Sequence, residues 1–191
     1  MRPGDPARFD NALPRPTDRL TLRRFAGDDL ERFQAYRCDP DVGRYQGWSA
    51  MDDAGAMAFL REMEAARIGV LNSWFQIAVA LRASNALIGD IGICLDADRA
   101  GVAEIGFTIA PSAQRRGLGT EAVAGALAML FDSGRVGVVE GITDARNVPS
   151  IRLLERVGMR FVRARVAIFK GEQCTEQIYA TARPAWERRD G

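Results

Sequence analysis

Glu104-Ile-Gly-Phe-Thr-Ile-Ala-Pro111, then Ser112-Ala-Gln-Arg-Arg-Gly-Leu-Gly119, then Thr120-Glu-Ala-Val-Ala-Gly-Ala-Leu-Ala-Met-Leu130, changes its apolar period partway along. The first part alternates, with Ile105, Phe107 and Ile109 set against Glu104, Gly106 and Thr108, the pattern of a strand with one buried face. The last part repeats apolar residues at helical spacing through Val123, Leu127 and Leu130. A strand therefore runs into a glycine-bearing turn that opens a helix.

Such a turn favours an anion. The N–H groups of a helix's first turn have no partner inside the helix, and the macrodipole places roughly half a positive charge there. Gly117 and Gly119 lack a Cβ, which lets a phosphate come close to the main chain, and Arg115 and Arg116 bring full charges beside it. A tight turn flanked by two solvated arginines is the bland alternative. Gly117-Leu-Gly119-Thr-Glu-Ala122 also fits the dinucleotide fingerprint G-x-G-x-x-A, with Glu140 near the spacing of a ribose-binding acid. Against that rival, Ala110 to Arg115 separate the strand from the glycine turn, Glu140 falls inside a strand, and the further β-α repeats of a doubly wound sheet are missing. A P-loop is excluded because no Gly-Lys-Ser/Thr follows.

Around this unit, 191 residues with 47% apolar content are enough for one core. The 26 basic and 25 acidic residues leave a net charge of +1 and are spread along the chain, which argues against nucleic acid as a partner and against a membrane-surface helix. The longest apolar run, Ala122 to Phe131, is too short for a bilayer, and the N-terminus lacks the apolar stretch of a secretion signal, so the chain reads as cytoplasmic. Cys38, Cys94 and Cys174 are far apart and there is no histidine, which argues against a metal site, a disulfide framework and a histidine-based triad.

Taken in order, residues 1–16 carry four prolines and no periodicity and read as a mobile tail, residues 17–186 as a single domain, and residues 187–191 as a second tail. Leu20 to Phe25 is the first predicted strand and Asp28 to Tyr36 a helix stopped before Pro40. The loop Asp39 to Trp48 carries Tyr45, Gln46 and Trp48, aromatic residues that either line an acceptor pocket or plug the core from above. Ser49-Ala-Met-Asp52 has the form of a capping box, opening a helix to about Ile68. Trp74 to Leu81 and Ala86 to Leu95 make a hairpin, and the Glu104 strand follows a second turn at Asp96 to Gly101. Beyond the central helix come a strand from Val136 to Thr143, a helix with Asn147 as N-cap, Pro149 in its first turn and Gly158 as its stop, and a closing hairpin from Phe161 to Ala180.

Gln114-x-x-Gly117-x-Gly119 after a strand ending Ile109-Ala-Pro111, with the later Asn147-x-x-Ser150 and Glu155-x-x-Gly158-Met159, resembles the GNAT superfamily of acyl-CoA-dependent N-acetyltransferases. Within it the chain is most similar to RimJ/RimL-like ribosomal-protein N-terminal acetyltransferases, through the Glu104-Ile-Gly-Phe strand, Thr120-Glu-Ala and the Lys170-Gly-Glu…Tyr179-Ala ending, over about Thr17 to Trp186. The resemblance implies an α/β (α+β) domain: a mixed, mostly antiparallel twisted sheet of about seven strands, helices on both faces, and a splay between the fourth and fifth strands that admits the pantetheine arm of acetyl-CoA. Main-chain groups of Phe107, Thr108 and Ile109 then pair with the pantetheine amides as an added strand would, and one N–H polarises the thioester. The pyrophosphate rests on the turn Gln114, Arg115, Arg116, Gly117, Leu118, Gly119 and Thr120, and Asn147 matches the family's cofactor-side asparagine, a role compatible with its helix cap. Dimerisation is common among similar proteins.

The chemistry so implied needs a neutral amine, a path for its proton and a proton for the departing thiolate. Glu104 is the candidate base, directly or through water, with a salt-bridged strand glutamate as its alternative. An N-terminal α-amine, with a pKa of about 7.7–8.0, asks less of a base than a lysine near 10.4. The tyrosine that many GNAT enzymes use as general acid corresponds to Leu154 here, so Ser150, which matches a RimL-like serine, is the candidate donor to coenzyme A; otherwise it only starts a helix. The expected acceptor is a protein N-terminus, with a small amine (polyamine, amino acid or antibiotic) behind it, held near Tyr45 and Trp48. A non-catalytic acyl-CoA-binding module is the reading from another class.

Overall fold

The computed structural model describes Phe9 and residues 12–187. Strands β1 (Arg15–Pro16), β2 (Leu20–Arg23), β3 (Trp74–Leu81), β4 (Leu87–Leu95), β5 (Val102–Ile109), β6 (Val138–Asp144), β7 (Arg160–Phe169) and β8 (Glu172–Ala182) form one sheet in the order β1-β2-β3-β4-β5-β6-β8-β7. All neighbours are antiparallel except β5 and β6, because the helical crossover between them forces a parallel pair. The helices are α1 (Leu30–Arg37), α2 (Pro40–Gly43), α3 (Asp53–Ala65), α4 (Leu118–Asp132), α5 (Val148–Arg156) and α6 (Arg183–Glu187).

Alternation along the strands creates two cores. Leu20 and Leu22 of β2, Phe75, Ile77 and Val79 of β3, and Ala103 and Ile105 of β5 face α4, whose Val123, Ala126, Leu127 and Leu130 are fully buried. On the opposite face Ala78 and Leu87 meet Phe33 and Tyr36 of α1 and Ala56, Leu60 and Met63 of α3. No helix among the described residues is long and apolar enough to cross a membrane.

The expected mixed sheet with helices on both faces is present, with eight strands rather than about seven. The eighth comes from inside the stretch expected as a tail: Arg15 and Pro16 pair with Leu22 and Thr21, and Phe9 is 1% exposed beneath the sheet. Proline is tolerated there because β1 is an edge strand. The rest of that expected tail, residues 1–8, 10 and 11, and positions 188–191 of the other lie outside the described residues. The proposed capping box also shifts: Asp52, not Ser49, accepts from Gly55 N (2.8 Å), so α3 starts three residues later than expected. Asp39 in turn caps a one-turn helix, α2, inside the predicted loop.

Candidate functional site

The parallel pairing of β5 with β6 lasts three residues, Val102 with Val138, Ala103 with Val139 and Glu104 with Glu140, and then stops. From Ile105 to Ile109 β5 is paired on one edge only, with β4. Ala110 N donates to Ile88 O (2.8 Å), and alternate residues turn their backbone groups to opposite edges, so Phe107 and Ile109 direct theirs into the gap. Two glutamines already reach those carbonyls: Gln46 Nε2 donates to Phe107 O (3.2 Å) and Gln114 Nε2 to Ile109 O (2.9 Å). This is the splay expected between the fourth and fifth strands, which the additional strand β1 renumbers as β5 and β6.

At its mouth, α4 begins with Gly117 as N-cap at φ 76°, a left-handed conformation that suits glycine, and Arg115 takes φ 59° in the same turn. Arg115 and Arg116 are both exposed. Gly119 also has a packing use. A Cβ there would stand 2.9 Å from Leu153 Cδ1 and 3.3 Å from Ile109 Cγ1, so its missing side chain lets α4 pack between β5 and α5. The turn has a brace that sequence reasoning missed. Arg19 donates from Nη1 to Arg116 O (3.0 Å) and from Nε to Glu121 (2.7 Å), and Thr17 Oγ1 donates to the same carboxylate. Burial alone would raise the Glu121 pKa, but these bonds together hold it below the usual range.

Asn147 Oδ1 accepts from Ser150 N (3.3 Å), the expected N-cap of α5, and Gly158 at φ 85° stops that helix. Ser150 is half-buried, and its Oγ has no hydrogen-bond partner among the described residues. Leu154 is 1% exposed and packs where a Cβ on Gly141 would meet it at 2.7 Å, so this position belongs to the core.

Glu104 shares a sheet face with Gly106 and Thr108, opposite α4. It makes no ion pair among the described residues, because Arg99 is taken by Asp96 (2.6 Å) and Glu140 (2.8 Å) and Arg165 by Glu176 (2.7 Å). Burial, then the neighbouring Glu140, raise its pKa above the ordinary glutamate value.

Above this face the loop from Asp39 to Trp48 is pinned at several points. Lys170 Nζ from the β7–β8 turn donates to Gly43 O (2.9 Å), Gln46 reaches β5, and Trp48 stacks on the Arg37 guanidinium at 4.4 Å. Arg37 is 3% exposed, pairs with Asp90 (3.0 Å), and also lies over Phe33 at 4.8 Å. Tyr36 donates to Asp90 as well (2.6 Å). Trp48 therefore packs inward as a plug, its Nε1 buried without a hydrogen-bond partner among the described residues, while Tyr45 is half-buried beside Arg44 (5.4 Å). Nothing local in the sequence marked Arg37 or Asp90; a charged residue on the apolar stripe of each element was the only signal.

The GNAT acetyltransferase domain model matches residues 19–160. An uncharacterized N-acetyltransferase, YnaD, of Bacillus subtilis (strain 168) is 26% identical over 176 residues, 89% of this chain and 97% of that protein. An acetyltransferase (GNAT family) from Bacillus anthracis has the same fold at a TM-score of 0.77 and 23% identity, covering 88% of this chain and 97% of that one. Mycobacterium smegmatis RimJ, solved in complex with CoA-disulfide, superposes at a TM-score of 0.70 and 19% identity, covering 88% and 87%.

Proposed function

This chain belongs to the GNAT acetyltransferase family, and from that premise we propose that it transfers the acetyl group of acetyl-CoA to a primary amine within a ternary complex, a protein N-terminal α-amine being the leading acceptor. The observation that carries this reading is the free edge of β5 beyond Glu104, adjoining the open first turn of α4. An extended pantetheine arm fits such an edge as an added strand, and a pyrophosphate fits a helix N-terminus flanked by Arg115 and Arg116. In this reading Gln114 and Gln46 mark the two carbonyls that the arm would share, and Leu118, Gly119 and Thr120 offer N–H groups to the phosphates.

The neutral amine nitrogen attacks the thioester carbonyl carbon, so that the C–N bond forms as the C–S bond breaks. The proton lost by nitrogen leaves through Glu104, and the coenzyme A thiolate takes one from Ser150, which is replenished from solvent. The raised pKa of Glu104 suits it to this work, since a base is most useful when its pKa approaches the working pH. Buried Leu154 in place of an acidic hydroxyl favours one second reading, an acyl-CoA-binding module without turnover. Measured acetyl transfer to any amine disposes of it.

Calorimetric titration with acetyl-CoA tests the cofactor assignment. The wild type should bind, and the double variant Arg115→Glu, Arg116→Glu should lose about tenfold in affinity. Gly119→Asp is a poorer probe, because the added atoms would strike Leu153 and Ile109. Absence of binding by the wild type, or an unaffected variant, would remove this turn from the site.

A further inference from the structure

One aromatic ring on the proposed acceptor side is open to solvent. Trp74, Cys94, Glu104 and Glu140 stand directly opposite one another on β3, β4, β5 and β6, and so form a single row across the sheet. Ala103 and Ile105 point into the α4 core, which puts this row on the other face, where α1 and α3 cover the end from Ala78 and Leu87 to about Gln76, whose N–H reaches Met63 Sδ (3.4 Å). Beside the row lies a second one in which Gly92 faces Gly106. A Cβ on Gly92 would meet the Gln76 side-chain amide at 2.8 Å and Trp74 Cε3 at 3.0 Å, and one on Gly106 would meet Trp74 Cζ3 at 4.0 Å. The indole thus lies over two glycines, its ring reaching the part of β5 that has just left β6, and the residue is 44% exposed.

We propose that Trp74 is a specificity-determining residue that, with Glu104, receives the acceptor's ammonium end and selects amines lacking a neighbouring carboxylate. This rests on the acetyltransferase reading above and narrows its substrate class. An indole face attracts a cation through its quadrupole, and a carboxylate beyond the ring gives the approaching ammonium a second partner. The same surroundings oppose an acid. Among the described residues the ion pairs of Asp96, Glu140 and Glu176 come from two arginines, Arg99 and Arg165, and Glu104 has none, so the row keeps a negative field. A free amino acid would bring its α-carboxylate into that field. A peptide N-terminus or an amino-acid amide presents a neutral amide in the same place, and neither Tyr45 nor Trp48 is needed for the choice.

The test is steady-state kinetics at saturating acetyl-CoA with matched pairs of amino-acid amides and free amino acids, using the wild type, Trp74→Ala and Trp74→Phe, alongside acetyl-CoA titrations. The expected result is a preference of about tenfold in kcat/KM for each amide over its acid. Trp74→Ala should raise KM for the amide about tenfold, Trp74→Phe should restore most of it, and acetyl-CoA affinity should not change. Equal use of acids and amides, an unchanged acceptor KM in Trp74→Ala, or bound acetyl-CoA with transfer to neither member of any pair would overturn the proposal. Failure of the wild type to bind acetyl-CoA would instead overturn the reading on which it rests.

Discussion

Along the free edge of β5 and the first turn of α4, the groups that face the cleft are main-chain carbonyls and amides, placed by a strand and a helix that follow each other in sequence. Across the sheet face below the Asp39–Trp48 loop they are side chains, Glu104 and Trp74, contributed by strands far apart in the chain, while Arg37 and Trp48 pack against each other beneath that loop. Backbone recognition tolerates a change of side chain provided the strand keeps its course. Side-chain recognition fails when one group is removed. We therefore expect substitutions on the proposed acceptor side to alter turnover and stability directly, and those on the proposed cofactor side to act through backbone position, the charges of Arg115 and Arg116 beside the turn excepted.

The sharpest contrast should come from Glu104→Gln. Loss of a general base costs about 10²–10⁴ in kcat, whereas acetyl-CoA affinity should stay at the wild-type value. In the proposed reaction Glu104 works only when ionised, so kcat/KM should fall as pH drops through its raised pKa, with this limb missing from the variant's profile. A parallel loss of cofactor affinity would break the division between the two sides.

Arg37→Ala should follow, with a loss of about 3–5 kcal/mol in urea unfolding, because it leaves the Asp90 carboxylate buried without its cation, with only the Tyr36 hydroxyl to hold it. Burial already raises the Asp90 pKa despite Arg37 and Tyr36. The folded state therefore holds this proton more tightly than the unfolded state does. The Asp90 contribution to stability is complete below the ordinary carboxylate range and declines as pH rises through the raised value, so the variant's deficit should shrink in acid. A deficit that stays constant with pH would mean that Asp90 is not its source.

On the cofactor side, Gly89→Ala should cost about 3 kcal/mol and weaken acetyl-CoA binding as well. Its Cβ would sit 2.1 Å from Thr108 O, a backbone atom that yields only if the unpaired end of β5 moves. Unchanged cofactor affinity would show that β5 position is not what the site depends on. The smallest effect is expected from Asn147→Ala, about 1 kcal/mol of stability for the lost cap, read by thermal denaturation.

The unequal legibility of the two sides has the same origin. The turn Gln114 to Thr120, the cap at Asn147 and the stop at Gly158 could be read from the chain because each is made by residues within a few positions of one another. Gly119 shows the limit of that reading. Its presence in the turn was plain, but whether its missing Cβ faced an anion or Leu153 depended on where α5 docks. Trp48 and Trp74 show it again. Both are aromatic residues near loop or strand ends, and only packing made one a plug on Arg37 and left the other open over Gly92 and Gly106. Arg15, Pro16 and Phe9 looked like part of a tail because a two-residue edge strand carries no period of its own.

The sequence by itself determined the strand, turn and helix unit, the hairpins, the alternation that gives the central strand a buried face, and a motif set sufficient to point to acetyl-CoA. Local steric rules and short-range hydrogen bonds act over a few residues, so their signals survive in the chain. Only the tertiary structure decided that the expected splay begins after Glu104, that Arg19 braces the turn through Arg116 and Glu121, and that Glu104, without an ion pair among the described residues, stands in a row with Trp74. Those outcomes depend on register between distant strands and on competition among charges for a few arginines, which no stretch of sequence encodes alone.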